Sequence, residues 1–249
     1  PESRLWVGLK YRLYAHVIAI SEGIRDVLLD EGLAATRVTC VRSAVDPQDW
    51  PQGCDRGAFL REFGLPDNAP VAGMIAQFIP RKGHRHLLAA LPRVLERHPG
   101  LQVLLFGQGP LVAAVQAAVG DQGLDAHVHL VGFRPDLARW LGCLDMIVHP
   151  AEKEGLGVSL LQAAAAGLPI IAARAGGMPE IVEDGRNGLL VAPGDVMALA
   201  EAMNGLLDDG TLRVEMGRRG RARIDTHFAP DAMVAGNLAV YRRVLGMAA

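Results

Sequence analysis

The sequence predicts an α/β fold: a parallel sheet with helices on both faces, followed by a helical tail. Three observations point there. Short apolar runs alternate with amphipathic stretches along most of the 249 residues, the pattern of a sheet covered by helices. Val103–Phe106 and Ile170–Ala173 are apolar without interruption, as strands buried on both faces must be. Beyond Asp208 no strand-like run recurs, and the chain reads as helix only.

Taken in order, Tyr14–Ser21 reads as a strand running into a helix through Glu22-Gly-Ile-Arg25, and Arg37–Val41 as a second strand. Ser43–Gly53 then has the Pro/Gly/polar composition of a domain boundary. Strands follow at Val71–Ala76, Leu101–Phe106, His127–Val131, Met146–His149, Pro169–Ala173 and Gly188–Val191, each a short apolar run. Between them, His84–Arg97, Leu111–Val119, Asp136–Leu141, Gly157–Ala166 and Asp195–Leu207 are the helices. Leu212–Thr226 and Ala229–Leu245, the latter with Pro230 near its start, make the tail. No internal repeat or low-complexity segment interrupts the series.

Composition sets the limits. Half the residues are apolar and only 21% charged, so a sizeable core is available and disorder is excluded. A net charge of −2 offers no basic field, so nucleic acid is not expected as a partner. Arg218-Arg219-Gly-Arg221-Ala-Arg223 and Arg242-Arg243 read as solvated helix faces, with peripheral contact to an anionic membrane surface as the alternative. Cys40, Cys54 and Cys143 show neither metal-ligand spacing nor an even count, which suits a reducing cytosol. No apolar run reaches transmembrane length and no signal peptide is visible. Pro1, in place of Met, hints at a start further upstream.

The most informative stretch is Glu154-Gly-Leu-Gly-Val-Ser-Leu-Leu-Gln162-Ala-Ala-Ala-Ala-Gly167-Leu-Pro169. It sets a carboxylate, a glycine loop and a helix start behind a strand, where an open α/β sheet presents its ligands. Glycines let a ligand approach the backbone, and the first helical amides, Leu156–Ser159, lack internal partners and suit a phosphate. Glu154 beside them fits neutral hydroxyls or a cationic transition state better than a second anion. Phosphate next to polyol suggests a nucleotide-sugar.

This stretch resembles the donor-site signature of GT-B-fold retaining glycosyltransferases of the group 1 (family 4) type. In that signature two glutamates, separated by seven intervening residues, precede a small-residue helix and Gly-x-Pro. Here Glu154 holds the first position and Gln162 the second. Gly176-Gly-Met-Pro-Glu180-Ile-Val, Asp184-Gly-Arg-Asn-Gly188-Leu-Leu-Val-Ala-Pro-Gly194-Asp195, Pro80-Arg-Lys82-Gly-His and Gly107-Gln-Gly109-Pro110 extend the resemblance, in family order, over residues 16 to 195. It implies a Rossmann-like C-terminal half of a GT-B fold. Residues 1–50 would be the remnant of an N-terminal domain with its linker, and residues 51–249 the donor-binding domain with its C-terminal helices. A two-domain member needs about 150 residues more at the front; a single-domain protein is the alternative.

The resemblance also assigns roles. Glu154 contacts hydroxyls of the donor sugar, and as an acceptor-only carboxylate it can fix two of them and steady an oxocarbenium-like charge. The family's second glutamate bonds the ribose; Gln162 keeps one acceptor and gains two donors. Lys82 neutralises the departing diphosphate, and Arg81 supplies the charge that the family places five residues ahead of the lysine, where this chain has Gln77. Gly107 and Gly109 line the donor cleft, the Gly132-Phe133-Arg134 loop reads the base, and Arg134 can stack on it. Gly155, Leu156, Gly157 and Val158 meet the diphosphate through their backbone. His149-Pro150-Ala151 has lost one hydroxyl of the family pattern. Neither a metal nor a cofactor is expected, and a nicotinamide is disfavoured because His127–Val131 ends in Gly132-Phe133 instead of an acid.

The expected activity is sugar transfer from a nucleoside-diphosphate sugar to a carbohydrate or lipid-linked acceptor, in the cytoplasm or at the cytoplasmic membrane face. The isolated chain should bind donor without transferring sugar. Alternatives are a nucleotide-sugar epimerase or hydrolase of the same fold, or a non-catalytic binding domain.

Overall fold

The computed structural model describes residue 11 and residues 13–247. The remainder of the expected N-terminal remnant, residues 1–10 and 12, lies outside the described residues. Strands β1 (Val17–Ala19) and β2 (Val38–Cys40) pair in parallel as a small separate sheet, joined by helix α1 (Glu22–Asp30), whose N-cap Ser21 accepts from the Ile24 amide at 3.0 Å.

The main sheet follows. Helix α2 (Arg56–Glu62) leads to β3 (Val71–Ile75), α3 (His84–Arg97), β4 (Gln102–Phe106), α4 (Val112–Asp121) and β5 (Val128–Gly132). Helix α5 (Leu137–Leu141) then precedes β6 (Met146–His149), α6 (Val158–Ala165), β7 (Ile170–Ala173), the single turn α7 (Met178–Ile181) and β8 (Gly188–Val191). Three helices close the chain: α8 (Val196–Asp208), α9 (Gly210–His227) and α10 (Pro230–Leu245). All six strands are parallel, in the order β5-β4-β3-β6-β7-β8. That is a doubly wound arrangement whose chain reverses direction between β3 and β6, where such sheets open a crevice at their carboxyl edge.

Strand side chains alternate between two cores, as a pleated strand requires. Val71, Leu104, Ile147 and Ile170 join one with α2, α5, α6 and α7; Ala72, Met74, Leu105 and Ile171 join the other with α3, α4 and α8. The central strands β4, β6 and β7 are buried throughout, while the edge strands β5 and β8 are half exposed.

Most expected and observed elements differ by one or two residues at their ends; β1 begins three residues later than expected, and two helices, α2 and the single turn α7, are absent from the expectation. Helix α2 falls in a stretch the sequence left unassigned; Asp55 caps it by accepting from the Ala58 amide at 2.8 Å. The cysteine reading is corrected. Cys54 and Cys143 form a disulfide with Cα atoms 5.3 Å apart, leaving Cys40 as the free thiol, pushed up to about 11 by burial and the neighbouring Glu22. An 89-residue separation carries no pairing signal, because only the fold brings the two together.

The arginine clusters are only partly solvated. Arg221 donates to the Trp50 carbonyl at 3.0 Å, Arg223 to the Glu180 carbonyl at 2.8 Å, and Arg243 to Thr39 at 2.9 Å, which ties α10 to the small sheet. Ser21 donates to the Gly155 carbonyl at 2.7 Å, and Glu180 accepts from the Gly23 amide at 3.1 Å and from Arg42 at 2.7 Å. The first segment is therefore clasped to the main unit beside Glu154. Among the described residues no helix is long and apolar enough to cross a membrane.

Candidate functional site

The loops leaving β3, β4 and β6 meet at the crevice, and bare backbone lets them do so. Gly107 holds φ at 135°, and a Cβ there would sit 2.0 Å from the Ala76 carbonyl oxygen. Gly176, at φ 55°, lies so close to the Glu154 backbone that a Cβ would come within 1.8 Å of its oxygen. No side chain fits either place.

Lys82 ends the turn after β3 and Glu154 follows β6, so the two reach across the reversal point. The Lys82 ammonium pairs with Glu154 Oε2 at 2.5 Å, both side chains 13% exposed. His149 Nε2, at the end of β6, meets the same oxygen at 2.9 Å. Burial works to raise the Glu154 pKa, but the His149 and Lys82 contacts outweigh it and hold the carboxyl down at about 2. His84 sits alongside, stacked on Phe78 at 4.4 Å, and burial with the His149 and Lys82 charges lowers it to about 4. The cluster is thus an ionised carboxylate in a nearly dry setting, poised on one cation. Its His149 Nδ1 and both His84 ring nitrogens are buried without a hydrogen-bond partner.

Two clefts flank it. One, of about 540 Å³, is lined by Arg81, Glu154, Gly155 and Gly176 and closed by Gly23 and Ile24 of the first segment. The other, of about 580 Å³, is lined by Gln77, Gly107, Gln108, Phe133, Arg134 and Gln162. Between them Gly157, at φ 97°, starts α6 with no side-chain cap, so its leading amides keep their donors for another acceptor. Val158 is exposed, whereas the Leu156 side chain is 1% exposed; Leu156 can serve a ligand only through its backbone. Gly109 packs on Phe78, shaping the turn from beneath.

The sequence-derived candidates converge here, with three changes of partner. The Gly155 amide, assigned to a diphosphate, donates instead to Glu154 Oε1 at 3.1 Å. Lys82 and Glu154, assigned to different parts of a ligand, bond each other. Arg134, expected to stack on a base, is held by Asp136 at 2.7 Å and Glu62 at 2.8 Å, its guanidinium 5.2 Å from the Phe63 ring centre. The exposed neighbour is Phe133, 68% accessible. Sequence reasoning missed His149, His84 and Glu180. A histidine ending an apolar strand is the one available signal for His149.

The fold and crevice together define a Rossmann-type ligand-binding domain, the C-terminal half of a GT-B architecture. Residues 55–223 match the family model of glycosyl transferases group 1, and the chain belongs to that family. It is 33% identical over 242 residues to a 2-deoxystreptamine glucosyltransferase of Streptomyces kanamyceticus, covering 94% of this chain and 62% of that protein. It is 34% identical over 197 residues to a GDP-mannose-dependent phosphatidylinositol monomannoside mannosyltransferase of Mycolicibacterium smegmatis, covering 75% of this chain and 50% of that protein. The chain thus spans about half to two thirds of these relatives' length. In structure it is similar to Anabaena HepE in complex with UDP-glucose, with a TM-score of 0.87, 25% identity and coverage of 98% of this chain and 67% of that one.

Proposed function

We propose that this chain is the donor-binding part of a retaining glycosyltransferase using a nucleoside-diphosphate sugar, with a carbohydrate or lipid-linked acceptor at the cytoplasmic membrane face. The observation that carries this is the Lys82–Glu154–His149 cluster, set at the reversal point between two clefts of matching size. The nucleoside enters the cleft of Gln77, Phe133 and Gln162, with Gln162 on the ribose. The sugar enters the cleft of Arg81 and Glu154. The diphosphate bridges them over the uncapped amides of α6.

Donor binding draws Lys82 from Glu154 to the diphosphate, where with Arg81 it offsets the charge that grows on the leaving group without a metal ion. Glu154, held by His149, is then free to accept two sugar hydroxyls and to face the positive charge developing at the anomeric carbon. The acceptor attacks from the face the leaving group departs. The UDP-glucose bound by HepE and the GDP-mannose dependence of the mycobacterial relative support this donor class.

Calorimetry on Glu154→Ala with UDP, UDP-glucose, GDP and GDP-mannose tests the reading. The variant should lose the nucleotide-sugar's advantage over the matching diphosphate, a loss of about 1.5–3 kcal/mol for a charged hydrogen-bonding partner. Affinity for the diphosphate alone should hold or rise, since Lys82 is released. Equal losses for both ligands would place the sugar elsewhere.

A further inference from the structure

Four arginines converge on a further cleft at the opposite edge of the sheet. The loop Glu183–Asn187 lies just ahead of β8, at the amino edge, whereas Glu154 follows β6 at the carboxyl edge. Arg186 from this loop and Arg218, Arg219 and Arg223 from α9 line a space of about 490 Å³ in which Glu183 is the one lining carboxylate.

The cleft is a consequence of how α9 packs. A Cβ on Gly217 would sit 1.8 Å from the Gly167 carbonyl oxygen, so only glycine lets α9 press this closely on the end of α6. With Gly217 and Gly220 buried, the neighbouring arginines turn toward the loop. Asn187, 1% exposed, fixes that loop by accepting from the Glu183 amide at 2.6 Å and donating to the Ile181 carbonyl at 2.9 Å.

The guanidinium groups are held but not saturated. Glu183 takes Arg186 at 3.0 Å and Arg223 on its other oxygen, and Glu215, outside the lining, takes Arg218 and Arg219 at 2.8 Å. Each guanidinium carries five N–H donors, and a fork already fixed in place loses little freedom when it binds. Arg186 and Arg218, with side chains 69% and 68% exposed, turn much of theirs to solvent. The space exceeds a single tetrahedral anion and falls within the range of small-molecule sites. We infer that this cleft binds a phosphate-bearing ligand, either a phosphorylated small molecule or a lipid headgroup, at a site separate from the donor crevice.

The test titrates the chain with inorganic pyrophosphate by calorimetry, in the parent, in Lys82→Ala and in the double variant Arg186→Gln/Arg218→Gln. A parallel arm measures sedimentation with phosphatidylcholine vesicles, with and without phosphatidylglycerol. Pyrophosphate affinity should survive Lys82→Ala and fall about tenfold or more in the double variant, with UDP affinity unchanged there. Arginine-dependent sedimentation with phosphatidylglycerol identifies the headgroup as the source; arginine-dependent pyrophosphate binding without it identifies a soluble phosphate. Should the double variant melt early, Arg218→Gln alone carries the same comparison. If pyrophosphate binds only where Lys82→Ala removes it, and no vesicle binding depends on the arginines, the inference fails.

Discussion

At the carboxyl edge of the sheet backbone meets backbone: Gly107 lies against Ala76 and Gly176 against Glu154, and the charges are a nearly buried pair. At the amino edge mostly exposed arginine side chains pair with carboxylates that are one-third exposed. One edge can recognise a ligand only through a shape with no slack. The other relies on charge, tolerates movement and is screened by salt. The same six strands support both, so mutation should separate the two edges.

The largest effect is expected from Gly176→Ala. Its Cβ would collide with the Glu154 backbone at a positive φ, costing about 3 kcal/mol or more in denaturant unfolding. Gly185→Ala near the arginine cleft has positive φ but open space around it, and should cost only about 1–2 kcal/mol. Similar costs at both would break the contrast.

Acid sensitivity comes next, and its strongest buried contributor, His84, lies at the carboxyl edge. His84 is lowered from 6.5 to about 4, so the unfolded chain takes up a proton first and stability falls as pH drops from 6.5 toward 4. Glu154, lowered from 4.5 to about 2, extends the loss below pH 4.5. Between pH 7 and 4.5 the fall should be on the order of 2–3 kcal/mol, and His84→Leu should remove most of that slope in urea titrations.

Lys82→Ala should weaken a nucleoside diphosphate by about one to two decades, from roughly 1.5–3 kcal/mol for a charge-assisted contact. Part of that is recovered because the Lys82–Glu154 pair no longer has to be broken, so the variant measures the net of the two. Gln162→Ala should show the smallest change, about 0.5–1.5 kcal/mol, equal for UDP and UDP-glucose because both carry the ribose. A sugar-selective Gln162 effect would exchange its place with Glu154.

Strands were legible because burial on both faces leaves an unbroken apolar run: Ile170–Ala173 could be read directly, and Met146–His149 needed no adjustment. Lys82 and Glu154 were legible because a carboxyl-edge loop restricts which residues can face a ligand. Their bond to each other was not, since it needs the β3–β6 adjacency. His149 was hidden in an apolar strand, where a polar residue more often marks nothing than a site. Glu180 was hidden in a motif valued for its glycines, though its carboxylate holds Gly23 and Arg42. The short helix α2 was lost between a boundary-like stretch and the first strong strand. Residues with tertiary partners far along the chain leave little local trace.

The Cys54–Cys143 bond makes the molecule, topologically, a ring with two tails. Strands β3, β4 and β5 lie inside the ring, while β6, β7 and β8 lie outside it. The halves touch along the sheet's shortest ladder, Ala72 opposite Met146 and Gly73 opposite Ile147, reinforced where Asp145 accepts from Arg56 at 2.9 Å and from the Val71 amide at 2.7 Å. The staple and this clamp stand at the amino end of that seam, and the crevice opens at the other, so the seam resembles a clothes-peg sprung at one end. Closing a loop of this length removes about 4–5 kcal/mol of freedom from the unfolded chain in the chain-entropy model. A protease nick anywhere inside the ring would leave the two pieces travelling as one until a reductant parts them.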